Sequence, residues 1–140
     1  MRSAWTGVAV AACAGLLVSL LAASTATAGF KHGRYAGTTD QGTEISFKAT
    51  KDGVRRFSYS VTIQCDDGWS REFTTGQSAK APISENGRFT AEFVTPDDSI
   101  TSVVDGRLKG RGARGSIETA GTVEGGWECH GSVAWTAKRQ

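Results

Sequence analysis

The side chains able to do covalent or acid–base chemistry are few. Cys13, Cys65 and Cys129 are the cysteines, and His32 and His130 the histidines. Asp66 and Asp67 follow Cys65, and His130 follows Cys129. A Cys65–Cys129 bridge would therefore gather an imidazole, two carboxylates and the hydroxyls of Ser70 and Ser132. A nucleophile, a base and an orienting group in mutual reach are what a hydrolase requires. Nothing resembling Gly-x-Ser-x-Gly occurs, however, and Ser, His and Asp are common enough to meet by chance. No catalytic residue is assigned; a small exported hydrolase with a site near His130 stands as the alternative. No cysteine sits in a C-x-x-C pair, and Asp66-Asp67 and Asp97-Asp98 lack the regular oxygen spacing calcium needs. Turn-forming aspartates explain both pairs, and neither a metal nor a cofactor is expected.

Binding chemistry has two candidate regions. Trp69 lies beside Asp66-Asp67-Gly68, and Trp127 beside Gly125-Gly126. Tryptophans on loops offer large rigid area with a polar handle. With His130 they form the expected site for a protein or small ligand, at the loop end nearest the two cysteines. The second region is the stripe Arg107, Lys109 and Arg111, whose alternation puts them on one face, with Arg114 nearby. Such a stripe suits polyanions. Its plainer reading is a solvated strand face with Glu118, Asp105 or Glu92 as counter-charges. A formal net charge of +2 over 140 residues gives no global electrostatic case for nucleic acid or membrane. No aromatic set interleaves with the stripe to stack bases, so no nucleic-acid partner is expected.

Residues 1–28 read as an address. Arg2 precedes an apolar run from Val8 to Ala23, and Ala26-Thr27-Ala28 supplies the small-x-small site of a secretory signal peptide. Cleavage after Ala28 leaves one domain, 29–140, exported and with no membrane attachment. An uncleaved anchor over Ala4 to Ala23 is the rival. Cys13 leaves with the signal, and two cysteines in an oxidising compartment are expected to form one disulfide, Cys65–Cys129.

The elements that must hold these residues are strands. Leu108 is the only leucine after the leader, and no stretch carries a helical apolar stripe. Phe57, Tyr59, Val61, Ile63 and Cys65 alternate with polar neighbours, as do Ile45, Phe47 and Ala49, then Phe89, Ala91 and Phe93, then Val133, Trp135 and Ala137. Alternation means one buried and one wet face, the mark of antiparallel sheet. Asp40-Gln41-Gly42, Lys51-Asp52-Gly53, Asp66-Asp67-Gly68, Asn86-Gly87 and Pro96-Asp97-Asp98 supply the reversals. The spacing predicts an all-β meander of eight or nine strands, at 34–39, 44–50, 54–65, 69–75, 80–83, 88–95, 99–109, 112–119 and 131–138. A small antiparallel barrel is favoured over a two-sheet sandwich. Close glycines between Gly106 and Gly115 mark bends or close backbone approach.

Gly33-Arg34-Tyr35-Ala36-Gly37, Gly42-Thr43-Glu44-Ile45-Ser46-Phe47, Asn86-Gly87-Arg88-Phe89, Gly106-Arg107-Leu108-Lys109-Gly110 and Cys129-His130-Gly131-Ser132-Val133 together resemble a group of small exported actinobacterial proteins. The resemblance covers most of 29–140 and rests on glycines, aromatics and alternating apolar positions. It implies a single-domain β fold and no particular chemistry.

The function expected from these features is a secreted, non-catalytic binding module. An envelope-structural or inhibitor-like protein is a further alternative. Intact-mass measurement of the protein from culture supernatant is expected to show a chain starting at Gly29 that gains a pair of hydrogens on reduction. A mass that includes residues 1–28, or no change on reduction, would contradict this.

Overall fold

A computed structural model describes residues 29–76, 80–97 and 99–140. The expected signal segment 1–28, Cys13 within it and Asp98 lie outside the described residues. Eight strands run in chain order: β1 Gly33–Thr39, β2 Glu44–Thr50, β3 Gly53–Cys65, β4 Ser70–Thr75, β5 Arg88–Val94, β6 Ile100–Lys109, β7 Gly112–Val123 and β8 Trp127–Arg139. All pair antiparallel in one sheet of order β4-β3-β2-β1-β8-β7-β6-β5, and no helix occurs among the described residues.

Eight strands rather than nine form because 80–83 does not become one. Ala81 makes both backbone hydrogen bonds with Val54, at 2.8 Å each. Pro82 follows, and without an N–H it cannot carry a ladder further. The last hairpin is longer than the alternation suggests. β7 and β8 stay in register from Gly112↔Lys138 to Val123↔Trp127, reversing through Gly125 and Gly126 at φ +95° and +79°. Trp127 and His130 are therefore strand residues, not loop residues. The N-terminal stretch is also held: Phe30 bridges Gly110, the Tyr35 hydroxyl donates to the Lys31 carbonyl, and Arg139 Nε donates to the His32 carbonyl.

The sheet curls until β3 reaches β8, through Gln64↔His130 and Cys65↔Cys129. Strands β3, β2, β1 and β8 thus form a ring of pairings at one end, and the Cys65–Cys129 disulfide spans its closing contact. The bridge has a sequence separation of 64 residues, for which chain-entropy reasoning gives about 4 kcal/mol. No ladder joins β4 to β5, the outermost strands in the order. A bulge on β3 helps the curl. The register passes from Ser46↔Ser58 to Lys48↔Arg55, so Phe47 faces both Arg56 and Phe57, and Arg56 takes a left-handed φ of 56°.

Rings fill the inside. Phe47 stacks on Tyr35 at 5.2 Å and meets Phe57, Phe89 and Trp135 within 5.8 Å. Tyr59 donates to Ser102 Oγ at 2.7 Å, and Ser102 bonds Thr119 at 2.8 Å, which satisfies the buried hydroxyls. Burial pushes the Tyr59 phenol up to about 12. Trp135 needs unusual room, and one row of the sheet supplies it. Trp135 is opposite Gly115, Gly115 opposite Gly106, and Gly106 opposite Phe89. Two large rings thus flank two residues with no side chain.

A Cβ on Gly106 would sit 2.3 Å from Phe89 Cζ and 2.8 Å from Trp135 Cζ2, whereas one on Gly112 meets nothing nearer than 3.7 Å. Gly106→Ala is therefore expected to lose about 1–3 kcal/mol in urea unfolding, and Gly112→Ala less than about 0.5 kcal/mol. Equal stability of Gly106→Ala and the parent would contradict the packing of this row.

Candidate functional site

The turns sort into two ends because the chain reverses at every strand. The β1–β2, β3–β4, β5–β6 and β7–β8 turns share the disulfide end; the β2–β3 and β6–β7 turns share the other. At the disulfide end, Cys65 and Cys129 are buried, facing inward. Asp67 organises the β3–β4 turn. Its carboxylate accepts from the Trp69 backbone N–H at 3.0 Å and from both Arg71 guanidinium nitrogens at 3.1 and 2.6 Å. Those hydrogen bonds, the Arg71 side chain's first, hold the Asp67 carboxyl below the usual range. In the β5–β6 turn, donors from Thr95 and Ser99 bring Asp97 down to about 2. Both aspartates are turn organisers.

Trp69 stands out from its turn at 72% exposure and Trp127 from the start of β8 at 45%. Trp127 lies on the same side of β8 as inward Cys129, whereas His130 is exposed on the outer side. No ring contact joins Trp69 to Trp127 among the described residues. Trp69, Trp127 and His130 thus share an end of the molecule, with His130 on the opposite side of β8 from Trp127. Among the described residues, His130 makes no hydrogen bond to Ser70, Ser132, Asp66 or Asp67.

The basic stripe is placed differently from its plainer reading. Arg107 and Lys109 point outward from β6, and Arg111 is exposed in the β6–β7 turn. The residues across from Arg107 are not acids. Arg88 on β5 is directly opposite it on one side and Arg114 on β7 on the other. Like charges directly opposed across a sheet are destabilising. Among the described residues the single ion pair is Arg71–Asp67, at the far end. Asp105, two residues along β6, accepts from the Thr90 hydroxyl. Continuing along the row, Thr136 and Thr38 separate Arg114 from Glu44, three strands or about 14 Å away. The expected counter-charges Glu118, Asp105 and Glu92 thus form no ion pair with the stripe.

One rung nearer the β6–β7 turn, Lys109 pairs Gly112, which pairs Lys138, which pairs Ala36. These residues line an open groove of about 660 Å³ on the outer face, with Arg107, Arg114, Lys109 and Lys138 around a floor that includes Gly37, Gly112, Ala113 and Ala137. The outward residues between them, Ala36 and Gly112, are small, which leaves the cationic heads as the tallest features. A second groove, of about 620 Å³, begins on the other side of Arg107 and Arg114 and includes Arg88 and Asp105. Arg107 Nε donates to the Asn86 carbonyl at 3.3 Å, which tethers one edge of its guanidinium. Planar guanidinium groups in opposed positions present forked donors suited to phosphate or sulfate oxygens.

Sequence reasoning found Arg107, Lys109 and Arg111 but not their pairing with Arg88, nor Lys138. The missing signal was the order of turns: Lys31, Lys51, Arg111 and Arg139 lie toward the β6–β7 end, where Asp52 and Glu85 are the acidic exceptions, while the turns at the disulfide end carry acids.

If the row is self-repelling, Arg114→Gln raises stability in low salt by a few tenths to about 1 kcal/mol. The gain should fade toward zero in 1 M salt as screening shortens to about 3 Å. Urea unfolding at the two salt concentrations checks this; an Arg114→Gln protein less stable than its parent in low salt would contradict it. No family model, no curated protein and no solved structure matches the chain.

Proposed function

We propose that the protein is an exported, non-catalytic binding module, and that its site is the cationic outer face of β5, β6, β7 and β8. The ligand class this reading assigns is a small anion or anionic group bearing phosphate or sulfate oxygens. The observation that carries it is the opposed trio Arg88, Arg107 and Arg114, held over open grooves with no ion pair to any of them among the described residues, although Asp105, engaged by the Thr90 hydroxyl, lines the second groove. An arrangement that costs stability in the free protein is relieved when an anion sits between the cations. The disulfide and the three-part address at residues 1–28 support export. Cleavage after Ala28 would add an α-ammonium at Gly29, whose carbonyl already accepts from Gly110 at the cationic end. We read the curled sheet as a small barrel with its ring of pairings at the disulfide end. Its packed interior then leaves ligand binding to the outer surface.

The Trp69, Trp127 and His130 region remains the second reading, favoured by the exposure of both indoles. Calorimetric titration of the secreted protein with tripolyphosphate in low salt separates the two. Saturable binding is expected that weakens as salt rises. Arg107→Gln combined with Arg114→Gln should weaken it at least about tenfold, the worth of one lost charged hydrogen bond. Absence of binding, or binding lost with Trp69→Ala instead, would overturn the assignment.

A further inference from the structure

The cations do not end at the first ladder. On the same outer surface, Arg34 of β1 is directly opposite Lys48 of β2, and Lys48 is opposite Arg55 of β3. This is a second set of like charges in register, and again no ion pair neutralises it among the described residues. The β3 bulge places Arg56 beside it, in a left-handed conformation that non-glycine residues rarely adopt. Arg34, Lys48 and Arg56 line their own open groove of about 520 Å³. Lys138 joins the two ladders: it borders the first groove, and its β1 partner is Ala36, two residues from Arg34 on the same face.

From these placements we infer that the ligand is a linear polymer of repeating phosphate groups, lying across the strands from the Arg88–Arg107–Arg114 ladder to the Arg34–Lys48–Arg55 ladder. The inference rests on the binding reading above and adds length and polymer class to it. From β6 to β3 the track crosses five inter-strand spacings, about 24 Å. A single phosphate or sulfate would engage one ladder and leave the other in mutual repulsion. A chain long enough to cover both relieves both. Among the described residues the exposed large aromatic side chains, Trp69 and Trp127, are at the opposite end. The aromatic residues lining the grooves, Phe47 and Phe89, have buried rings, and the Phe30–His32 pair lies beside the β6–β7 turn outside the groove linings, so the track itself offers charge rather than area for base stacking, which supplies much of single-strand nucleic-acid affinity. The chemistry fits a base-free phosphate chain, whether inorganic polyphosphate or a polyol-phosphate polymer.

The test compares tripolyphosphate, long-chain polyphosphate, a polyol-phosphate chain and single-stranded DNA of matched charge, each titrated into the secreted protein over a range of salt. Long polyphosphate should bind at least about tenfold tighter per phosphate than tripolyphosphate, with a steeper fall of affinity with salt. Arg34→Gln combined with Arg55→Gln should remove that length advantage and reduce the salt slope by about 1.4, the value for two lost single-strand contacts. Arg34→Lys with Arg55→Lys, which keeps both charges, should retain it. Tighter binding of polyphosphate than of the polyol-phosphate chain would identify the inorganic source, and the reverse order the polyol source; either supports the inference. Tripolyphosphate binding without a length advantage would overturn the polymer and leave the first site standing. Failure of every phosphate ligand to bind would overturn the underlying reading as well. DNA binding as tight as polyphosphate would overturn the base-free class.

Discussion

Three arginines face one another across adjacent strands because the core leaves them no other register. Gly106 and Gly115 are opposed so that Trp135 and Phe89 can lie over them. Arg107 and Arg114 are the next residues in each strand, so they are opposed as well. Sliding β6 along β7 by one residue would turn every side chain to the other face, and would bring a Cβ into the space the rings occupy. Ring packing inside and charge repulsion outside are thus coupled through one backbone register. The first is worth several kcal/mol in a core of this kind and the second a fraction of one per pair, so packing prevails and the cations stay opposed.

The same logic explains how a chain of near-zero net charge carries a strongly cationic surface. In an antiparallel meander every second turn lies at the same end. Asp40, Asp66, Asp67, Asp97 and Glu124 fall in or beside turns at the disulfide end, and Lys51 and Arg111 in those at the other. Asp52 and Glu85 are the exceptions. Charges so separated cannot neutralise one another at close range, which fits the single ion pair among the described residues. A molecule polarised in this way orients in the field of an anionic surface and approaches it cationic end first. The disulfide, joining β3 to β8 at the acidic end, fixes the curvature without touching the cationic face.

Much of the sheet was legible in the sequence because each strand buries one face. Alternation from Phe57 to Cys65 and from Val133 to Ala137 located β3 and β8 and told inside from outside. The reversals at Asp-Gly and Asn-Gly steps marked several of the turns. What alternation cannot show is who faces whom. Arg88 and Arg107 are separated by β5, its turn and most of β6, and only the register between β5 and β6 makes them neighbours. The 80–83 segment misled because Ile83 and Ala81 alternate like a strand, whereas Pro82 between them forbids the ladder. Trp127 and His130 were read as loop residues because Gly125-Gly126 marks a turn; the turn is there, but it is tight, and β8 begins at once. Net charge sums over the molecule a quantity that matters locally, so it could not show the opposed cations.

Placement of the site on the cationic ladders is tested most directly by following backbone amide resonances of the 15N-labelled protein as tripolyphosphate is added. The predicted result is a set of shifts on β6, β7 and β8 centred on Arg107, Arg114 and Lys138, with Trp69 and His130 unmoved. Shifts gathered instead at the disulfide end, or none at saturating ligand in low salt, would contradict it.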